Sequence, residues 1–310
     1  MHCLSSKVKL NGKTIQNKQR YFCLSCKKSF LWKLSKPLEE RRFRWFKLWI
    51  SEGYSVRELS SLKRVSQSTV RRVIQYWLGK VPEQSKLDFS KIKHIILDGT
   101  FLKRPRGIYA AMDSETHKLI YAEVNVRESK SDLFKFYNKL SDVGLNPKSA
   151  TTDGNTVQTR QLIDCWPEIK LQRCIVHVQR QGLSWCRRNP KRTDAKHLRE
   201  LLLKLTEVRT KQDSLRFIKG FYAWENRFGT GIENSPNRGW VFSDLIRARS
   251  LITKALPNLF HYIDNKKIAR STNALEGYFS RLKEHYRLHR GLSNKNKINY
   301  FKWYFFLKPN

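Results

Sequence analysis

Three acidic residues have the chemistry and the surroundings of a metal-dependent site. Asp98 and Asp153 each follow a short run predicted to be a strand and precede a glycine, and Glu276 lies in a predicted helix. Sites in α/β sheets form at the carboxyl ends of strands. Carboxylates from separate elements hold hard divalent ions such as Mg²⁺ or Mn²⁺. Such ions support in-line attack on a phosphodiester.

Each acid also has an ordinary structural interpretation. Asp98 and Asp153, each followed by glycine, could be strand-to-turn signals. Asn273 with Glu276 three residues later could be a helix N-cap box. The occurrence of all three acids in one order of strands and helices favours the site.

The charge of the chain indicates the partner. Among 310 residues, 62 are Lys or Arg and 26 are Asp or Glu, which gives a formal net charge of +36. Basic residues are interleaved with apolar and aromatic ones at both ends of the chain, as on a folded surface that faces a polyanion. We therefore expect a nucleic acid as the partner, and the helix-turn-helix pattern of residues 38–80, with the basic hairpin before it, favours double-stranded DNA. No apolar run is long enough for a membrane span, and no signal peptide is recognisable, so we expect a cytoplasmic protein that binds no membrane.

The helix predicted from about Asn273 to Tyr286 separates a core stripe from a charged face. Glu276, Lys283 and Arg287 recur at helical spacing on a different face from the apolar positions. We expect Lys283 and Arg287 to bind phosphates beside the acid.

Residues 38–80 are predicted to form three short helices, with a capping box at Ser55 and an N-cap at Ser66. This spacing is typical of a helix-turn-helix, in which the early residues of the last helix enter the major groove. The expected DNA-binding residues are therefore Gln67, Ser68, Arg71 and Arg72. A plain three-helix packing unit is the alternative.

The cysteines near the N-terminus suggest a zinc ribbon. Cys23 and Cys26 form a CxxC knuckle, and His2 and Cys3 are the upstream candidates for its partner. We expect the turn of the intervening hairpin near Asn11-Gly12. The first knuckle is incomplete, which means a start further upstream, substitution by His2, or a partial site. A basic hairpin with two buried thiols is the alternative.

The central segment is predicted to be α/β. Three strands, a helix, a strand, a helix and a further strand from Lys170 to Val178 follow in order, and this is the ribonuclease-H-like layout. The chain then reads as helical up to about Asp264. Cys174 and His177 would face opposite sides of the last strand, which favours a structural or substrate-positioning role over a metal role. His177 could also donate a hydrogen bond to a phosphate.

Four sequence blocks carry a family resemblance: Leu97-Asp98-Gly99-Thr100-Phe101, Thr152-Asp153-Gly154-Asn155, Gln172-Arg173-Cys174-Ile175-Val176-His177 and Thr272-Asn273-Ala274-Leu275-Glu276-Gly277. In these blocks and their order the chain resembles the Mutator-like DDE transposases, in the bacterial insertion-sequence branch with an N-terminal zinc ribbon and helix-turn-helix. The resemblance covers nearly the whole chain.

The resemblance implies an RNase-H-like core with an all-α insertion, and Mg²⁺-dependent mobilisation of an element with terminal inverted repeats. Asp98, Asp153 and Glu276 match the catalytic triad. Cys174 and His177 match a CxxH block near the active site, and Asn273 lies in the block that carries Glu276. A homo-oligomer, a dimer or larger, and a nucleoid-associated location in a bacterium are further implications.

The expected domains are a zinc-ribbon-like segment (1–34), a helix-turn-helix (35–80), the first part of the core (91–180), the helical insertion (181–265) and the completion of the core (266–310). Two other functions stay open. One is a DNA-binding regulator with a catalytically silent core, and the other is an RNase-H-like nuclease acting on RNA hybrids or junctions.

Overall fold

The chain is a mixed α/β protein. The structure is a computed structural model that describes residues 3, 5–31, 36–82, 88–103, 106–233, 240–289 and 291–310. It divides into two compact units, Met1–Val81 with Gly291–Tyr300 and Pro82–Arg290 with Phe301–Asn310. In the described part of the chain, no helix has both the length and the apolar character needed to cross a membrane.

The first unit begins with a small antiparallel sheet of three strands in sequence order. The strands are β1 (Val8–Lys13), β2 (Gln19–Cys23) and β3 (Ser29–Leu31). The β1–β2 turn is closed by a hydrogen bond from the Thr14 N–H to the Lys18 carbonyl. The prediction of a turn at Asn11-Gly12 is therefore wrong. That dipeptide lies inside β1, where a register shift absorbs the positive φ of Gly12.

Three helices follow, as the sequence predicts: α1 (Lys36–Glu52), α2 (Val56–Lys63) and α3 (Gln67–Leu78). The Ser55 side chain caps α2 and receives the reciprocal bond of a capping box, and Ser66 caps α3. Leu59, Val70 and Ile74 are buried between the helices, whereas Leu62 is exposed and does not join the core.

The second unit contains a five-stranded mixed sheet in the order β6-β5-β4-β7-β8. Its strands are β4 (His94–Lys103), β5 (Arg106–Asp113), β6 (Leu119–Val126), β7 (Ser149–Thr152) and β8 (Lys170–Arg173). The pairs β4–β5 and β5–β6 are antiparallel, and β4–β7 and β7–β8 are parallel.

Two helices cover one face of this sheet, α4 (Lys130–Asp142) and α5 (Thr156–Cys165). Ile95 and Leu97 of β4 belong to the same buried cluster as Phe136 and Leu162 on these helices. Side chains alternate along a strand, so Ile96 and Asp98 project from the opposite face. That face is approached by α11 (Asn273–Arg287), which contacts β4.

The remaining helices of the second unit share a separate apolar core. They are α6 (Ile175–Cys186), α7 (Thr193–Lys204), α8 (Lys211–Glu233), α9 (Trp240–Ala255) and the short α10 (His261–Asp264). Leu198, Phe221 and Ile252 lie at the centre of this core. The prediction that the chain is helical up to about Asp264 is confirmed.

The last helix, α12 (Asn294–Leu307), was not expected. Tyr300, Phe301, Trp303 and Tyr304 are all buried although they are nearly consecutive. Burial on several faces leaves no clear apolar stripe at helical spacing, and that stripe is the signal by which an amphipathic helix is recognised.

Candidate active site

Asp98 lies within β4 rather than at its end. The β4–β5 ladder pairs Asp98 with Ala110 and continues to Lys103 and Arg106. The prediction that the strand ends at Asp98 is therefore wrong, because β4 continues to pair with β5 beyond the aspartate. The side chain is partly buried, and its Oδ1 accepts a hydrogen bond from the Gly99 N–H at 2.8 Å.

Asp153 follows directly after β7 and lies beside Asp98. The parallel register pairs Ile96 with Thr151, and each aspartate is two residues beyond its member of that pair. Neighbouring strands are about 4.8 Å apart, so the two carboxylates share one region of the sheet. Asp153 Oδ1 accepts from the Asn155 N–H at 2.9 Å, which fixes the loop after β7.

The loop at Asp153 depends on Gly154. This residue has φ +83°, and a Cβ at this position would collide with the guanidinium of Arg173. Arg173 donates from Nη1 to the Gly154 carbonyl at 2.9 Å. Because any side chain at Gly154 would displace Arg173, the glycine keeps a partly buried cation next to Asp153.

Glu276 lies in the first turn of α11 and contacts two basic residues of α6. The distance from its Oε1 to His177 Nε2 is 3.3 Å, and from its Oε2 to Arg180 Nη1 it is 3.2 Å. Thr272 is the N-cap residue of α11, and no side-chain hydrogen bond caps the helix there. The N-cap box proposed for Asn273 and Glu276 is therefore wrong, and Asn273 is an exposed residue inside the helix.

Cys174 and His177 do not lie on a strand. β8 ends at Arg173, and Cys174 is the N-cap of α6. The apolar positions at Ile175 and Val178 are buried at helical spacing, a pattern that a strand interpretation of so short a segment misses.

The helical start brings the two side chains together around Thr272. The Thr272 N–H donates to Cys174 Sγ at 3.3 Å, and Thr272 Oγ1 lies 3.3 Å from His177 Nδ1. His177 therefore links this threonine to Glu276. The structural or substrate-positioning role expected for Cys174 and His177 stays a prediction.

The ionisation of these groups is linked. Burial raises the pKa of Asp98 to about 7, the Gly99 N–H and His177 oppose the rise, and the charges of Asp153 and Glu276 add to it. The hydrogen bond with Cys174 raises the pKa of His177 to about 9, and the charges of Asp98 and Glu276 contribute. The three acids and the histidine thus lie near enough to influence one another.

The acids are nevertheless not gathered as tightly as ligands of one ion. Among the described residues, a group of three or more potential metal ligands with ligand atoms all within 4.8 Å occurs only at Cys3, Cys23 and Cys26. Asp98, Asp153 and Glu276 lie further apart than this. Glu276 instead faces the cations of α6.

A fourth acid, Glu128, was missed by the sequence analysis. It lies two residues after the end of β6, and a Cβ on Gly99 would collide with its carboxylate. Burial raises the pKa of Glu128, and the charge of Asp153 raises it further. The sequence signal for Glu128 was its position as an acid between the end of a strand and the helix cap at Ser129. The same kind of position identified Asp153. Arg173 and Arg180 were also missed, since no local pattern marks them.

The cysteines form a candidate zinc site in the first unit. Cys3 Sγ lies 3.4 Å from Cys23 Sγ, and Cys26 completes the group. Backbone N–H bonding, chiefly from Cys26, lowers the pKa of Cys23 to about 7, which favours the thiolate that zinc binds. His2 lies outside the described residues.

The predicted DNA-binding side chains are solvent-accessible. Gln67, Ser68, Arg71 and Arg72 are all exposed on α3. Arg71 donates from Nη2 to Gln67 Oε1 at 3.0 Å, so the two side chains form a pair on the helix surface.

On α11, Arg287 is exposed and Lys283 is partly buried. Leu275, Tyr278, Phe279 and Leu282 are buried on the other side of this helix, as expected. Contact of Lys283 and Arg287 with phosphates stays a prediction.

No model of a known protein family matches the chain, and a search of curated proteins found no match.

Proposed function

We propose that the chain is the DNA transposase of an insertion sequence and catalyses metal-dependent phosphodiester hydrolysis and strand transfer. The observation that carries this proposal is the linked set of acids Asp98, Asp153 and Glu276 in a chain with a net charge of +36. Acids that lie close together need a cation before they can approach an anionic substrate.

The strand order and the helices support an RNase-H-like core. Three antiparallel strands are followed by two parallel ones on the far side of β4, with α4 and α5 covering one face. Helices α6 to α10, with their own apolar core, would be the insertion that precedes the Glu276 helix.

The donor set fits Mg²⁺ or Mn²⁺. All three groups are carboxylates, the hard oxygen ligands that these ions prefer. Burial raises the pKa of Asp98, and the charges of Asp153 and Glu276 add to the rise, so a bound cation would stabilise the ionised carboxylate. Asp98, Asp153 and Glu276 would hold the ions, which when bound activate the attacking oxygen and stabilise the leaving one.

Side chains around the acids would orient Glu276 and neutralise negative charge at the site. His177 and Arg180 hold Glu276 from α6, and Arg173 keeps a positive charge beside Asp153. Cations at these positions also offset the charge of the incoming phosphate.

The first unit would recognise the element ends. Arg71, Arg72 and their neighbours on α3 would contact bases or phosphates, and the cysteine group would hold zinc in the ribbon. The partners would be the element ends, the target DNA and further copies of the chain, because two ends must be paired. A bacterial, nucleoid-associated location goes with this proposal.

A DNA-binding regulator with a silent core is the second candidate. The contacts of Glu276 with His177 and Arg180 favour it, since they occupy an acid that catalysis requires. A purified chain that binds end-containing DNA and does not cut it would support the regulator.

The test is incubation of the purified full chain with duplexes that carry or lack the element end, with Mg²⁺, with Mn²⁺ and without either ion. We expect cutting at the end, with a free 3′-OH, only in the presence of an ion. Asp98→Ala should bind and not cut. Cutting that ignores the end sequence, or that occurs on RNA hybrids, would point instead to a nuclease.

A further inference from the structure

A cavity of about 460 Å³ in the second unit is not used by the proposed chemistry. It lies between the turn after β5, the segment after α10 and the start of α11. Its lining is strongly basic, with Arg209, Lys266 and Arg270 together with His117. No aspartate or glutamate is among the described residues that line it. A concave surface with this balance of charge selects anions.

Two of the cations are held close together. Arg209 Nη1 lies 2.6 Å and Arg270 Nη2 lies 3.0 Å from the same carbonyl oxygen, that of Thr206. Two guanidinium groups at such a short separation repel each other, and each retains further N–H donors. A bound anion would relieve this repulsion.

Lys266 differs from the two arginines because it makes no contact that holds it in place at the Thr206 carbonyl. It is exposed, and it lines the cavity from the segment that precedes α11. Its charge can therefore be changed without removing a buried contact.

The start of α11 adds to the positive potential. Asn273 and Ala274, the first two residues of this 15-residue helix, line the cavity. The N-cap Thr272 makes no side-chain capping bond. The Asn273 N–H donates to Ser271 Oγ at 3.5 Å. This helix end therefore contributes the positive end of the helix dipole, which favours an anion in the space that the cations line.

The cavity adjoins the acids. Ile96 lines it and lies two residues before Asp98 on the same face of β4, about 7 Å away along the strand. Asn273 lies three residues before Glu276, within one turn of α11. The space therefore lies next to the acids on the same side of the sheet.

We propose that this cavity binds phosphate groups of the DNA strand beside the bond that is cut. The proposal rests on the proposed function, because it assigns the occupant as part of the substrate. Phosphate is the shared chemistry of a DNA strand and of a free nucleotide, and the experiment separates the two sources.

The first measurement is calorimetric binding of thymidine 3′,5′-bisphosphate and of inorganic pyrophosphate to the full chain without divalent ions. We expect Lys266→Glu to weaken binding at least about tenfold, since it replaces an attraction with a repulsion. Lys219→Glu, the same change of charge at an exposed position of α8, should leave binding unchanged. Equal binding by the wild-type chain and Lys266→Glu would overturn the proposal.

The second measurement is cleavage of end-containing duplexes in which one phosphate at a time is a neutral methylphosphonate. In the wild-type chain one position beside the cut should slow cutting about tenfold, the effect of losing one charge-assisted contact. In Lys266→Glu that position should lose most of its effect. Unchanged interference in the variant would overturn the DNA assignment, and interference-free cutting with intact bisphosphate binding would indicate a free nucleotide instead.

These outcomes are separable from failure of the proposed function. If the wild-type chain cuts no DNA, the transposase proposal fails and the strand assignment fails with it. The calorimetric comparison still decides whether the cavity is a phosphate site.

Discussion

Replacement of Asp98 by asparagine should stabilise the ion-free chain above neutral pH. In the folded chain the pKa of Asp98 is about 7, against an ordinary value of 3.8. The folded state therefore holds a proton that the unfolded state releases, and the unfolding free energy falls as the pH rises from about 4 to about 7. At 1.36 kcal/mol for each tenfold change in proton affinity, the ionised side chain costs about 4 kcal/mol at pH 8. Asparagine keeps the shape and carries no charge.

The assay is urea unfolding of wild-type and Asp98→Asn chains at pH 5 and pH 8 in buffer free of divalent ions. We expect the variant to gain about 4 kcal/mol at pH 8 and less than half of that at pH 5. Glu168→Gln, at an exposed position of the same unit, is the control and should show no such pH dependence. Added Mg²⁺ should reduce the difference in unfolding free energy between the two chains, because the ion stabilises the ionised Asp98 of the wild type. A gain equal at both pH values would refute the assignment of Asp98 as a destabilised acid.

Three further changes test other parts of the structure. Gly154→Ala should lower the free energy of unfolding by about 2 kcal/mol or more and abolish cutting, as urea unfolding and a cleavage assay would measure. Gly144→Ala is the control, because Gly144 has φ +90° with open space around it. That change should lower the free energy of unfolding by about 1–2 kcal/mol and leave cutting intact. His177→Ala should slow cutting about tenfold, and His177→Gln, which can still hydrogen-bond, should retain more of the rate; equal rates for wild type and His177→Ala would end the positioning role. Cys26→Ser should lose the zinc that mass spectrometry or a metal-release assay detects in the wild type, and Cys165→Ser should keep it.

Features set by local sequence were predictable. The capping box at Ser55 and the N-cap at Ser66 fix the second and third helices, because their side chains satisfy backbone groups within the same turn. The periodicity after Asn273 separates Glu276 from the buried stripe of α11, because residues three and four apart share one face of a helix. Such patterns need no knowledge of the rest of the fold.

Features set by distant pairing were not predictable. β4 continues past Asp98 because β5 pairs with it, and no residue near Asp98 signals this. The neighbours of the acids, Arg173 and Glu128, reach the site from β8 and from the end of β6. Four residues of β8 before a helix gave too short a pattern to distinguish strand from helix at His177.

The central claim is that Asp98, Asp153 and Glu276 form one metal-dependent phosphodiester centre. The most direct measurement is single-turnover cutting of end-containing DNA by Asp98→Asn, Asp153→Asn and Glu276→Gln chains, with DNA affinity measured on the same preparations. Each variant should lose at least about a thousandfold in rate, the scale of losing a main source of transition-state stabilisation, while binding DNA at least as tightly as the wild type. A wild-type rate in any one of the three would contradict the account.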